Sequence, residues 1–167
     1  MVEHKLVKLA ISFGICLLAG YFNSLYVLPL IPTWFASLIR PDFLPSESYF
    51  VPIGLVVYLL LGFALYFIWH SDARNYHEKR FCLFLFIFSL FLNVLWAYTF
   101  FGLHSPFIAL MIILLLFAIL MSTIYQTLSV SFGATLLLLP YLVIAFVVAY
   151  TNYYIVTMNP NLPFIVI

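Results

Sequence analysis

Charge is what this sequence has least of. Of its 167 residues only 7% are Asp, Glu, Lys or Arg, against 67% apolar or aromatic, and mean hydropathy is +1.23. A water-soluble domain carries about a quarter of its residues as charges, and without them it cannot cover its surface, so a soluble fold is excluded. A net charge of +1 gives no electrostatic footprint for nucleic acid. No Asp, Glu, Lys or Arg occurs between Lys8 and Arg40, between Glu47 and Asp72, or after Arg80. Ion-coupled pumping and voltage sensing need charges inside the apolar runs and find none here. Cysteine is also scarce. Cys16 and Cys82 both fall within apolar runs, where they read as small buried residues, not as a disulfide or metal site. His4, His70, His77 and His104 stand at the ends of runs, as solvated interfacial histidines do. No metal-ligating cluster and no Ser-His-Asp or Cys-His set can be assembled, so no cofactor is required and no catalytic residue is nominated.

What the sequence does have is long apolar runs. A bilayer core of about 30 Å takes about 20 residues as helix, and the uncharged stretches hold five such spans, near 6–28, 49–69, 81–101, 107–125 and 132–154. Pro29, His70-Ser71-Asp72, Gly102 to Pro106 and the polar turn 126–131 punctuate them. Continuous apolar runs exclude the short alternating segments of a β-barrel. In lipid each backbone group must find its partner within the segment, which makes the spans helices. The expected fold class is therefore an all-α membrane protein, a five-transmembrane-helix bundle in one domain over 1–167, with a long ordered loop between helices 1 and 2. The first run is too long for a cleaved signal peptide and no small-x-small site follows it. Five spans put Lys5, Lys8, Arg74, Lys79 and Arg80 on one side and Arg40 alone on the other, so the positive-inside rule places the N-terminus in the cytoplasm. The expected location is an integral, multi-pass one: the cell membrane in a prokaryote, the mitochondrial outer or another organelle membrane in a eukaryote.

The connection over 29–48 reads as a compact flap. Loops of about 20 residues are uncommon and are often lids. Thr33 is placed to cap a short helix with Trp34, Phe35, Leu38 and Ile39 on one apolar face, Arg40 at its C-terminal end and Pro41 stopping it. Pro45 stiffens the return. The alternative is an interfacial helix with a belt tryptophan. In the third span Asn93 lies at mid-membrane with Trp96 one turn on, and Ser89, Asn93 and Ala97 form a small or polar stripe. Such a stripe serves interhelical hydrogen bonding equally well. In the fifth span Pro140 removes a backbone bond and is expected to kink the helix, with Tyr141 and Asn152 turning polar tips into the bundle. Ala10 and Gly14 give a small-residue spacing in the first span, read as packing within the chain or as helix association.

These residues resemble the translocator protein family, TspO/MBR, also called the tryptophan-rich sensory proteins or peripheral-type benzodiazepine receptors. Trp34-Phe35-x-x-Leu38-x-Arg40-Pro41-x-Phe43-x-Pro45 is similar to that family's first-loop pattern W-Y-x-x-L-x-K-P-x-W/F-x-P-P. Tyr58 matches the tyrosine ending the second-span motif. Leu92-Asn93-x-x-Trp96 with Phe100-Phe101-Gly102 matches the third, and Pro140-Tyr141-Leu142 with Asn152 the fifth. The resemblance covers nearly the whole chain. It implies a ligand pocket at one end of the bundle, closed by the first loop, with Trp34, Pro41 and Pro45 in the lid and Tyr58, Asn93, Trp96, Pro140 and Tyr141 in the wall. It implies a receptor, sensor or carrier for a porphyrin, haem or lipid ligand, the lipid bilayer as partner, and a homodimer. The alternatives are a porphyrin-degrading enzyme using the same pocket, and a structural or regulatory membrane partner without a small ligand.

The chain departs from the pattern where the pocket is concerned. Gly54 and Ile144 stand where the family has tryptophan, Val148 where it has alanine, and Ser46 where the lid has a second proline. Two aromatic walls are gone, each worth about 0.5–1.5 kcal/mol beyond area burial. Nothing basic follows Arg80, so the sterol motif of animal members is missing.

Overall fold

The computed structural model describes residues 2–72, 76–160 and 162, with side chains from residue 5 onward. Of the sequence features above, Arg74 and the His4 side chain lie outside the described residues. Helix α1 spans Val2–Leu30, α2 Phe50–His70, α3 Tyr76–Ala97, α4 Pro106–Val130 and α5 Phe132–Met158. With their terminal turns, all five are long and apolar enough to cross a membrane. Together with the apolar exposed surface of every helix, this makes the chain an integral, multi-pass membrane protein. The helices pack in the cyclic order α1, α2, α5, α4, α3, which closes on α1.

The first span does not end at Pro29. Proline cannot donate to the carbonyl one turn back, yet α1 runs through Pro29 and continues in a π-helical turn, Ile31–Phe35. Widening the turn there accommodates Pro32, whose missing N–H would otherwise break the ladder. Thr33 is no N-cap; its hydroxyl donates back to the Pro29 carbonyl at 3.2 Å. Phe35 and Leu38 are buried as expected from the pattern, but Ile39 is 56% exposed, because the chain leaves the helix before reaching it.

The true connection is therefore short, residues 38–46, and it is tied at both ends. Arg40 bonds Glu47 at 2.9 Å and lies 4.9 Å over the Phe35 ring. Both partners are partly exposed, which limits such a pair to about 0–1 kcal/mol. Asn159, just past α5, holds the loop backbone from both sides. Its side-chain oxygen accepts from the Ile39 N–H at 3.0 Å, and its amide donates to the Ile39 carbonyl at 3.1 Å. Asn159→Ala is expected to speed amide exchange at Ile39 by about tenfold, the equivalent of one net hydrogen bond, with little change in melting temperature. Hydrogen–deuterium exchange in nanodiscs reads this directly; unchanged protection would show that the loop is held elsewhere.

Two further boundaries move. Residues 126–130 are helical, not a turn, and α4 reaches Val130. Thr127 and Ser129 spend their hydroxyls on carbonyls within α4, and only Ser131 breaks the run, capping α5 through Ala134. Helix α3 begins at Tyr76, ahead of its apolar run, and ends in a second π turn, Tyr98–Gly102. Ala10 and Gly14 do not pack within the chain: both are exposed, and a Cβ on Gly14 would meet nothing within 4 Å. Cys16 and Cys82 are buried and free.

Candidate functional site

Four helices and the loop converge on one cavity of about 310 Å³. Helix α1 contributes Asn23 and Val27, its π turn Phe35, the loop Leu44 and Pro45. Helix α2 supplies its first two turns, from Phe50 to Tyr58; α3 its last, from Asn93 to Phe101; α5 the stretch from Tyr141 to Asn152. The cavity thus occupies the loop end of the bundle. Tyr58, eight residues into α2, lies about 12 Å below that end.

Its polar groups are few and come in two knots. At the first, the Asn93 side-chain oxygen accepts from Asn23 at 2.9 Å and from the Tyr58 hydroxyl at 2.5 Å. This joins α1, α2 and α3 at one atom. Gly20 makes the approach possible, since a Cβ there would stand 2.7 Å from the Tyr58 ring. At the second, the Trp96 indole N–H donates to Asn152 at 3.0 Å, and Asn152 donates to the Pro106 carbonyl at 2.8 Å. This fixes the indole against the wall and ties α5 to the start of α4. The second π turn has a related effect. By shifting the helical register it buries the consecutive rings of Phe100 and Phe101, and both line the cavity.

Two hydroxyls on the wall stand apart. The Tyr141 and Thr151 hydroxyls are both buried, and neither makes a hydrogen bond of ordinary geometry within the protein, although the Tyr141 hydroxyl lies beside the Asn93 side chain. A threonine within a helix ordinarily bonds the carbonyl a turn back, as Thr99 and Thr123 do; Thr151 does not. No Asp, Glu, Lys, Arg or His lines the cavity, and among the described residues no group of His, Cys, Asp and Glu could hold a metal ion.

Of the residues nominated from sequence, Pro45, Gly54, Tyr58, Asn93, Trp96, Tyr141 and Ile144 are brought together on this wall. Trp34, Pro41 and Pro140 are not part of it. Trp34 packs instead on Phe100, Phe101 and His104, with ring centres 5.5, 6.2 and 4.5 Å away, so it braces the covering turn from behind. Pro41 is buried within the loop, where its carbonyl accepts from Leu44. Pro140 is exposed on the outer face of α5, and the carbonyl it leaves unpaired, that of Leu136, belongs to the same outer face. Sequence reasoning missed Asn23 and Thr151. Asn23 carried a usable signal, an amide inside an otherwise apolar run; Thr151 carried none, because membrane helices hold many threonines.

The geometry can now be set beside known proteins. The profile of the TspO/MBR family matches residues 12–158. The chain belongs to the TspO/MBR family. Among relatives, the "Tryptophan-rich protein TspO" of Chlorobaculum tepidum is 30% identical over 159 residues, 95% of this chain and 100% of that protein. A protein of the same name from Archaeoglobus fulgidus is 33% identical over 139 residues, 83% of this chain and 88% of that one. The family label fits this member loosely, for it has 3 tryptophans, and Trp96 alone of them lines the cavity. Gly54, Ile144 and Val148, where the chain leaves the family pattern, all face the same cavity.

Proposed function

We propose that this TspO/MBR protein is a membrane receptor, sensor or carrier that holds a hydrophobic, tetrapyrrole-like or lipid ligand beneath the loop 38–46. The observation that carries the reading is a pair of buried hydroxyls, Tyr141 and Thr151, that make no ordinary hydrogen bond within the protein, on the wall of a largely apolar cavity. A buried hydroxyl without a partner costs about 1–3 kcal/mol, and a protein that retains two at one cavity is built to pair them with something else. Their spacing speaks to size. The two positions are ten residues apart on α5, about 15 Å along its axis. A molecule lying along that length of α5 has the dimensions of a tetrapyrrole or a lipid, longer than an amino acid or a sugar.

The loss of two tryptophans at Gly54 and Ile144 bears on which of these is preferred. Flat aromatic ligands lose about tenfold or more in affinity without two stacking walls. Purified protein in liposomes is expected to bind the uncharged dimethyl ester of protoporphyrin saturably, read from the porphyrin absorption band. Trp96→Ala should weaken that binding by about tenfold, in proportion to one lost aromatic contact and its buried area. Trp69, at the far end of α2, serves as the control position. Binding that never saturates, or that is indifferent to Trp96, would remove the reading; mass spectrometry of a small molecule copurifying in gentle detergent identifies the natural ligand.

A further inference from the structure

A second cleft lies outside the first. It runs between α1 and α2 on their outer faces and is lined by Leu17, Tyr21, Leu28, Val51 and Leu55, all exposed apolar side chains at membrane depth. Five residues, Asn23, Val27, Phe50, Gly54 and Tyr58, line both this cleft and the central cavity. The wall between them is thus one residue thick. At Gly54 it has no side chain at all, and a Cβ built there would meet nothing within 4 Å. Where the family pattern has its largest residue, this chain has its smallest.

Resting on the ligand-binding reading, we infer that the cavity is loaded sideways from the bilayer, through the gap between α1 and α2 at Gly54, by an uncharged molecule already dissolved in the lipid. Neither lining contains a charged residue or a histidine. An ionised ligand would leave its charge uncompensated along the whole route, at a cost of several kcal/mol. An uncharged one with a few hydrogen-bonding groups loses nothing by leaving lipid, meets Asn23 and Tyr58 at the sill, and finds the Tyr141 and Thr151 hydroxyls inside. The other way in, past the loop, is held by Asn159 and by the Arg40–Glu47 pair.

The test uses the full chain in phosphatidylcholine liposomes and the uncharged dimethyl ester of protoporphyrin as probe, with stopped-flow Trp quenching as readout. Leu55→Trp, on the α2 lip, and Ser24→Leu, on the α1 lip, touch the outer cleft but not the cavity. Each is expected to slow association and release together by about tenfold, leaving the equilibrium constant unchanged, as a narrowed passage does. Asn159→Ala should leave both rates as they are, and the wild-type rate should follow the ester's mole fraction in the membrane. Unchanged rates in both lip variants, or faster rates in Asn159→Ala, would overturn sideways entry while ligand binding itself stands. A wild-type protein that takes up no ester at any mole fraction overturns the binding reading and the entry route with it.

Discussion

Asn152→Leu is expected to destabilise the protein by about 2–3 kcal/mol, with a fall of several degrees in melting temperature. Asn152 is 1% exposed and ties α5 to both α3 and the start of α4. It accepts from the Trp96 indole and donates to the Pro106 carbonyl. Intramembrane hydrogen bonds average only about 0.6 kcal/mol in double-mutant cycles, because the unfolded chain in lipid also finds partners. Two such bonds would be worth about 1 kcal/mol. The larger figure applies because leucine strands the indole N–H in an apolar wall, and a stranded buried donor costs about 1–3 kcal/mol. The Pro106 carbonyl suffers less, since it also serves the first turn of α4. A cycle with Trp96→Phe separates the terms. If the indole is the stranded group, Asn152→Leu costs about 1 kcal/mol less in the Trp96→Phe background than in the wild type. Equal costs in both backgrounds would mean that Asn152 acts through packing alone. Thermal unfolding in lipid nanodiscs measures all four proteins, and a destabilisation below about 0.5 kcal/mol would refute the account.

How much of this was legible in advance follows from what kind of signal each feature leaves. The five spans were readable because bilayer thickness and the cost of intramembrane charge act on composition, and Lys8, Arg40, Glu47, Asp72 and Arg80 mark the gaps in plain text. The ends of the spans were not. Pro29 and Pro32 read as a stop, yet the helix absorbs them by widening one turn, a backbone adjustment that leaves no compositional trace. The same adjustment at Tyr98–Gly102 turns Phe100 and Phe101 inward together, against any 3.6-residue pattern. Asn93, Trp96 and Asn152 were visible as polar or amphipathic groups in apolar helices, and Asn23, the partner of Asn93, could have been sought among the few other amides in the apolar runs. Trp34 misled for a physical reason. An amphipathic aromatic in a proline-rich flap suits a lid's inner face and its brace equally well, and only packing against His104 and Phe100 decides between them.

The Tyr141 and Thr151 hydroxyls set two effects against each other, and that opposition gives the most diagnostic result. Tyr141→Phe and Thr151→Val each delete a buried hydroxyl that makes no ordinary hydrogen bond within the protein and preserve the shape of the wall. In the ligand-free protein, removing an unsatisfied group relieves its desolvation penalty, so each variant is expected to be more stable by about 1 kcal/mol. Ligand binding should move the other way. A ligand acceptor that reaches either hydroxyl supplies the hydrogen bond that the protein does not, worth about 1–1.5 kcal/mol per group, or roughly tenfold in affinity. Both hydroxyls serve one ligand and so share a partner, which makes their losses non-additive; the double variant is expected to lose more than either single variant and less than about a hundredfold. Chemical unfolding without ligand and porphyrin titration in liposomes supply the two axes. Ordinary structural hydroxyls give variants that lose stability and keep affinity, and that pattern would show that Tyr141 and Thr151 serve the fold. Gains in stability coupled to losses in affinity are what a wall built for an occupant must give, because in such a site the bundle carries the cost of holding the groups ready and the ligand alone relieves it.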